Sequence, residues 1–173
     1  MPNWCFNQVE IKGDEKEIQK AIELIESSRT EKEGEFKLLS IISPMPPHIE
    51  ATLNGPIASE FNLEVEPTDW YFWRLKYWGT KWDVDNLSYN SSDKNSLTLT
   101  FFTAWNPSLK AFITMSMSAL NLQFTYRYYE LGNRFVGTAK FMGGWPLHHQ
   151  HDEANKETMK QHGFETNYFE EDV

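Results

Sequence analysis

The sequence predicts an α+β domain built on a split β-α-β antiparallel sheet, with two helices on one face. Three observations predict it. Five segments alternate apolar and polar residues or carry β-formers. Two amphipathic helical patterns follow the first and third of these segments. Turn-forming residues join the second to the third and the fourth to the fifth.

Trp4 to Ile11 is the first strand. Cys5, Asn7, Val9 and Ile11 share one face, and Trp4, Phe6, Gln8 and Glu10 the other. Gly13 ends it. Asp14 followed by Glu17 suits a helix start, and Ile18, Ala21, Ile22 and Ile25 recur at helical spacing to about Ser28. Residues 29–35 are polar and read as a loop, and Phe36 to Ile42 reads as a short strand. Pro44, Pro46 and Pro47 stop regular structure, and one or two helical turns are expected within 57–63. Pro67-Thr68-Asp69 starts a helix over 70–78, and 79–83 is a loop.

Val84 to Asn90 is the next strand, 91–96 its turn, and Leu97 to Ala104 the third. Asn106-Pro107 opens a second helix through Leu109, Phe112, Ile113, Met117 and Leu120, which Asn121 closes in a left-handed conformation. Leu122 to Glu130 and Phe135 to Phe141 form a hairpin about Gly132-Asn133. Gly143-Gly144 and Pro146 end the fold. The order is β-α-(insertion 29–83)-β-β-α-β-β. Its first six regular elements are the ferredoxin-like arrangement, followed by an extra C-terminal hairpin strand. Residues 1–145 are thus one domain carrying a long insertion after its first helix, and 146–173 an acidic C-terminal tail, either a peripheral helix or loosely held. From Gln150 onward seven Asp or Glu face two Lys.

Composition narrows function. A net charge of −9 opposes general attraction to nucleic acid or anionic membranes and favours a basic partner or a local basic site. The single cysteine, Cys5, permits no intramolecular disulfide and no cysteine-only zinc cluster. It lies on the predicted core face, where an inert thiol is the first reading. The start, MPNWCFNQVEIKG, lacks the pattern of a secretory signal, and no apolar run approaches the roughly 18 residues of a membrane span. The expected location is the cytoplasm.

The most unusual stretch is Trp70 to Asp83, WYFWRLKYWGTKWD, with four of the seven tryptophans. Trp70, Trp73, Tyr77 and Trp78 read first as glue between the insertion and the free sheet face. The second half offers a ligand site made of Trp78, Gly79, Thr80, Lys81, Trp82 and Asp83 with Trp105. Tryptophan stacks on a nucleobase or cation, Gly79 lets backbone approach, Lys81 holds an anion, and Asp83 orients Lys81 or binds a sugar hydroxyl. Arg127 and Glu130 are candidates for a polar edge to that pocket, against a hairpin ion pair of Glu130 with Arg127 or Arg134.

Two other constellations compete. If the helices cover Val9, Leu99 and Phe124, the opposite face shows Trp4, Phe6, Phe102, Arg127 and Tyr129. Such a face stacks bases in RNA-recognition modules, but burial under the insertion is the stronger expectation, and no basic-aromatic RNA signature is present. His148-His149-x-His151-Asp152 has metal-ligand chemistry. No single regular structure aligns all four, and a solvated tail is the plainer reading, so no metal site and no cofactor is assigned.

MPNWCFN at 1–7, YWGTKWD at 77–83, FFTAWNPS at 101–108 and YELGNRFVG at 129–137 resemble the YubB-like ferredoxin-like family, uncharacterised proteins carried by bacteriophages and plasmids. The resemblance implies a ferredoxin-like fold and a mobile-element origin. It implies no activity and no site residues.

The function expected from these readings is a non-enzymatic phage or plasmid accessory protein. Its partner would be a host or defence protein, or a small nucleotide-like ligand. The alternatives are a metal-assisted hydrolase using His148 to Asp152 and a single-stranded nucleic-acid binder using the aromatic sheet face.

Overall fold

The computed structural model describes residues 3–58 and 64–166. Its centre is a six-stranded sheet whose neighbouring strands are all antiparallel. The strands are β1 (Trp4–Lys12), β2 (Asp85–Asp93), β3 (Ser96–Ala104), β4 (Gln123–Glu130), β5 (Phe135–Met142) and β6 (Trp145–Glu153), in spatial order β2-β3-β1-β4-β5-β6. The helices are α1 (Glu15–Ser27), α2 (Leu38–Ile42), α3 (Pro47–Glu50), α4 (Trp70–Tyr77), α5 (Leu109–Ser118) and α6 (Lys156–Gln161). The architecture is ferredoxin-like α+β.

The pleat of β1 sets the core. Cys5, Asn7, Val9 and Ile11 are all buried, and cross-strand pairing puts Leu97, Leu99, Phe101, Phe124, Tyr126 and Tyr128 on the same face. Ile18, Ala21 and Ile25 of α1 and Ala111, Phe112 and Met115 of α5 join that core. The Asp14 carboxylate caps α1 by accepting from the Glu17 amide at 3.0 Å.

A polar network crosses the middle of this apolar layer. The Asn7 amide donates to Thr103 Oγ1 at 2.8 Å and to the Cys5 carbonyl at 2.9 Å, and its oxygen accepts from the Tyr126 hydroxyl at 2.8 Å. Tyr126 Oη lies 3.0 Å from Ser108 Oγ, and Thr103 Oγ1 donates to the Asn106 carbonyl. Burial with full pairing makes the network a constraint on register. It also changes the start of α5. Asn106 was expected as the cap. Ser108 takes the N-cap position instead, with no capping hydrogen bond from its side chain. Nor does Asn121 close the helix: α5 ends at Ser118 with Ala119 as its C-cap, and Asn121 is not among the positive-φ residues.

The insertion departs from expectation in two places. Residues 38–42 form α2, not a strand, and Phe36 keeps one isolated bridge to Arg29. Residues 57 and 58 have no regular structure, and the remainder of the helical turns expected at 57–63 lies outside the described residues. Nor do the described residues of the insertion cover the opposite face. Leu38, Leu39, Ile49, Trp73 and Trp78 join the helix-side core, and α2 and α4 pack on α5. Apolar surface explains the choice. Away from Phe6, Phe102 and Tyr129, the far face offers Gln8, Glu10, Thr98, Thr100 and Thr125, none of which rewards burial of leucine or tryptophan.

The largest difference is the tail. Gly143 and Gly144, both with positive φ (57° and 80°), form a two-residue hairpin turn where the end of the fold was expected. The chain then runs back along β5 as β6. Pro146 is tolerated because it sits on an edge strand at a register shift opposite Phe141. After β6, α6 carries Met159 onto Val136 and Ala154, and Phe164 onto Phe6 and Tyr129. The far face is thus capped at one end by the C-terminal segment.

Removing the Asn7 side chain would leave buried hydroxyls of Tyr126 and Thr103 short of partners. Asn7→Ala should lower unfolding free energy by about 2–4 kcal/mol, read from urea denaturation. A loss under about 0.5 kcal/mol would show that the network is not a structural constraint.

Candidate functional site

The loop after α4 is held from below. Trp78 is 1% exposed, its indole N–H donates to the Ser43 carbonyl at 2.8 Å, and its ring meets Trp73 edge-on. Gly79 has φ +89°, and a Cβ there would lie 2.8 Å from the Pro107 carbonyl oxygen. Thr80 is buried, and its hydroxyl donates to the Ala104 carbonyl at 2.8 Å. These three residues lock the loop to the end of β3 and the approach to α5. They are scaffold, not ligand-facing groups.

Beyond them the loop opens outward. Trp82 is 37% exposed and stacks on Trp105 with centroids 6.2 Å apart, and Trp4 lies 6.4 Å from Trp82. Trp105 holds a left-handed backbone, φ 64°, and its amide donates to the Asn3 carbonyl. Lys81 Nζ sits over the rings of Tyr71, Trp82 and Trp105 at 5.6, 5.1 and 5.1 Å. Among the described residues no carboxylate forms an ion pair with it. Cation–π attraction to three rings positions this ammonium.

Asp83 does not orient Lys81. Its carboxylate accepts from the Leu39 amide (2.8 Å), the Ser40 amide (3.0 Å), the Ser40 hydroxyl (2.7 Å) and its own neighbour Val84 (2.9 Å). It caps α2 from 44 residues away, because Lys37 at the N-cap supplies no side-chain bond. Arg74 is stacked between Trp70 and Trp78, 5.1 and 4.7 Å from their centroids, and donates to the Lys81 carbonyl. Its Nε is buried without a partner, and desolvation pushes the guanidinium pKa down, opposed by Asp83 and Glu50.

These groups border a cleft of ≈ 680 Å³. Trp4 and Trp82 line it together with Arg74, Ser40 and the charged segment 32–37, and Asp83 to Asn86 line its floor. Lys32 and Lys37 approach Glu35 at 3.8 and 3.4 Å, which leaves Arg74 as a lining cation without an ion pair among the described residues.

Arg127 and Glu130 do not join this site. Arg127 lines a separate pocket of ≈ 430 Å³ on the far face with Lys140, His148, Gln150 and His162. Glu130 is 2% exposed and accepts from the Gly132 and Asn133 amides, both at 2.6 Å, so it ties the hairpin turn and forms no ion pair with Arg127 or Arg134. Strand alternation sends successive residues to opposite faces, which separates Arg127 from Glu130. Cys5 is sealed: burial, then Glu130, push its thiol pKa up, as suits an inert group.

The histidine group is divided by the same pleat. His148 lines the Arg127 pocket, whereas His149 Nε2 and His151 Nδ1 both meet Tyr128 Oη. Among the described residues no three histidine, cysteine or carboxylate side chains gather as a metal-holding group. Sequence reading missed His162. Its ring bonds Thr138 Oγ1 through Nδ1 (2.7 Å) and Asp152 Oδ2 through Nε2 (2.9 Å), pinning the end of α6 to β5 and β6. The capping box at Asn155 and Thr158 was a readable signal for that helix.

Comparison with known proteins adds the lineage. Residues 81–170, just over half of the chain, match the family described as "Ferredoxin-like domain in Api92-like protein". The chain belongs to that family. The match runs from the Lys81 loop through α6, so the histidine-bearing strand of this Api92-like protein lies within the family domain. The crystal structure of a protein api92 from Yersinia pseudotuberculosis is similar at TM-score 0.55 and 11% identity, over 90% of this chain and 99% of that one. At that identity the likeness concerns the fold. No curated protein matches significantly.

If Asp83 is a helix cap, its loss should be independent of Lys81. Asp83→Ala should lower stability by about 1–2 kcal/mol by urea titration, and by the same amount in a Lys81→Met background. A coupling above about 0.5 kcal/mol would restore the ion-pair reading.

Proposed function

We propose that this Api92-like protein is a non-enzymatic accessory protein of a phage or plasmid, binding a small nucleotide-like ligand in the cleft beside Trp4 and Trp82. The observation that carries the reading is the cleft's lining: two half-exposed indoles flank it, and Arg74 lines it beside them. An aromatic base has a stacking face there, a phosphate has Arg74 as counter-charge, and the carboxylates of Glu33 and Asp85 offer acceptors for sugar hydroxyls. The YubB-like resemblance of four motifs supplies the mobile-element setting. The bacterial cytoplasm is the proposed location, and no helix among the described residues is long and apolar enough to cross a membrane.

The net charge of −9 favours a second reading, in which a basic host or defence protein docks on the chain. The two readings separate in one titration. Tryptophan fluorescence should respond to at least one member of a nucleotide panel, and Trp82→Ala or Arg74→Gln should weaken that binding about tenfold or more. Absence of any response across the panel would remove the small-ligand reading and leave the protein partner. The other two classes fare less well. The four groups of the His148 to Asp152 cluster face opposite ways, and Phe6 and Tyr129 of the sheet face already pack on Phe164.

A further inference from the structure

The edge formed by β6 carries an arrangement that neither packing nor solubility calls for. His149 and His151 stand two residues apart on this outer strand, so their rings share a face. Both direct a ring nitrogen at one atom, the hydroxyl oxygen of Tyr128, at 3.0 Å from His149 Nε2 and 3.1 Å from His151 Nδ1. Tyr128 is two strands away, on β4. Its phenol reaches β6 because the residue between them on β5 is Gly137, paired with Tyr128 on one side and His151 on the other. A Cβ at Gly137 would overlap Cζ and Oη of Tyr128. Phe135 packs against the His151 ring, centroids 5.4 Å apart, and steadies it.

We propose that Tyr128, His149 and His151 form a binding site for a divalent transition-metal ion of the zinc or copper kind. Two imidazole nitrogens and one phenolate oxygen are the donor types such ions take, and three protein ligands leave a position for water. Strand-borne ligands in a paired sheet are held more rigidly than loop-borne ones. On binding, the ion takes the two nitrogen lone pairs and the phenolate, and the phenol proton leaves to solvent. The ion then ties β6 to β4 across β5. This site is separate from the cleft, and its test is independent of the nucleotide reading.

Untagged full-length protein titrated calorimetrically with Zn(II), and in parallel with Cu(II), should bind one ion per chain and melt at a higher temperature when loaded. His149→Ala and His151→Ala should each weaken binding about tenfold or more, a loss at least as large as second-shell changes produce. Both residues are exposed, and each single variant leaves the other histidine as a partner of the Tyr128 hydroxyl. His148→Ala should bind as the wild type does, since His148 faces the other way. Tyr128→Phe should bind Cu(II) more weakly and lack the visible phenolate-to-copper absorption shown by the wild type. Undetectable binding by the wild type would overturn the site. So would equal affinity in a His149→Ala/His151→Ala double variant, or loss of binding in His148→Ala.

Discussion

The structure depends first on one buried amide. Asn7 stands in the middle of the central strand, in a layer otherwise filled by Val9, Leu99, Phe101 and Phe124. Its hydrogen bonds reach Thr103 on one neighbouring strand and Tyr126 on the other, and through Tyr126 they reach Ser108 at the head of α5. A one-residue slip of either strand would bury these groups unpaired, at a cost of the order of 1–3 kcal/mol each. The network therefore fixes register on both sides of β1 at once. The end of the sheet where Trp4, Trp82 and Trp105 meet is held in place by that registration.

The same end collects the strings MPNWCFN, YWGTKWD, FFTAWNPS and YELGNRFVG. The Asn3 carbonyl takes the Trp105 amide, Thr80 bonds the Ala104 carbonyl, Gly79 abuts the Pro107 carbonyl, and Asn3 lies against the turn at Gly132. Residues far apart in sequence thus form one structural joint. Much of what looks like a signature is the chemistry of that joint: a glycine for close backbone approach, a threonine for a buried carbonyl and a glutamate for turn amides. Only the parts facing outward, Trp4 and Trp82 above all, remain for a partner.

The strands, the two long helices and their order were legible, because each carries a period of 2 or 3.6 strong enough to read locally. The α2 segment was not. Phe36 to Ile42 is a short apolar run whose helical state depends on a cap from Asp83, 44 residues away. The β6 strand was missed for a related reason. Trp145 to Glu153 is exposed almost throughout, so alternation had no buried face to record. What specifies it is the Gly143-Gly144 turn and the open edge of β5, which would otherwise invite pairing with another chain. Of the candidate site, the loop 78–83 with Trp105 is brought together, while Arg127 and Glu130 fall elsewhere. Spacing along β4 was enough to foresee that separation.

The aromatic string divides at Gly79, and burial decides the roles of its halves. Trp73 and Trp78 lie in the core, and the Trp78 indole N–H is bonded to Ser43, so both fasten the insertion to α5 and contribute nothing to a surface. Trp82 has a different environment. It is half-exposed, carries Lys81 over its ring and leans on Trp105. Packing alone gives no reason to leave two large indoles in water beside a guanidinium whose Nε has no partner. The proposed ligand would stack on the indoles and present an anion to the Arg74 side chain that lines the cleft. On that proposal the pairing of exposed indoles with a guanidinium, and not the count of tryptophans, separates a candidate site from glue in this chain.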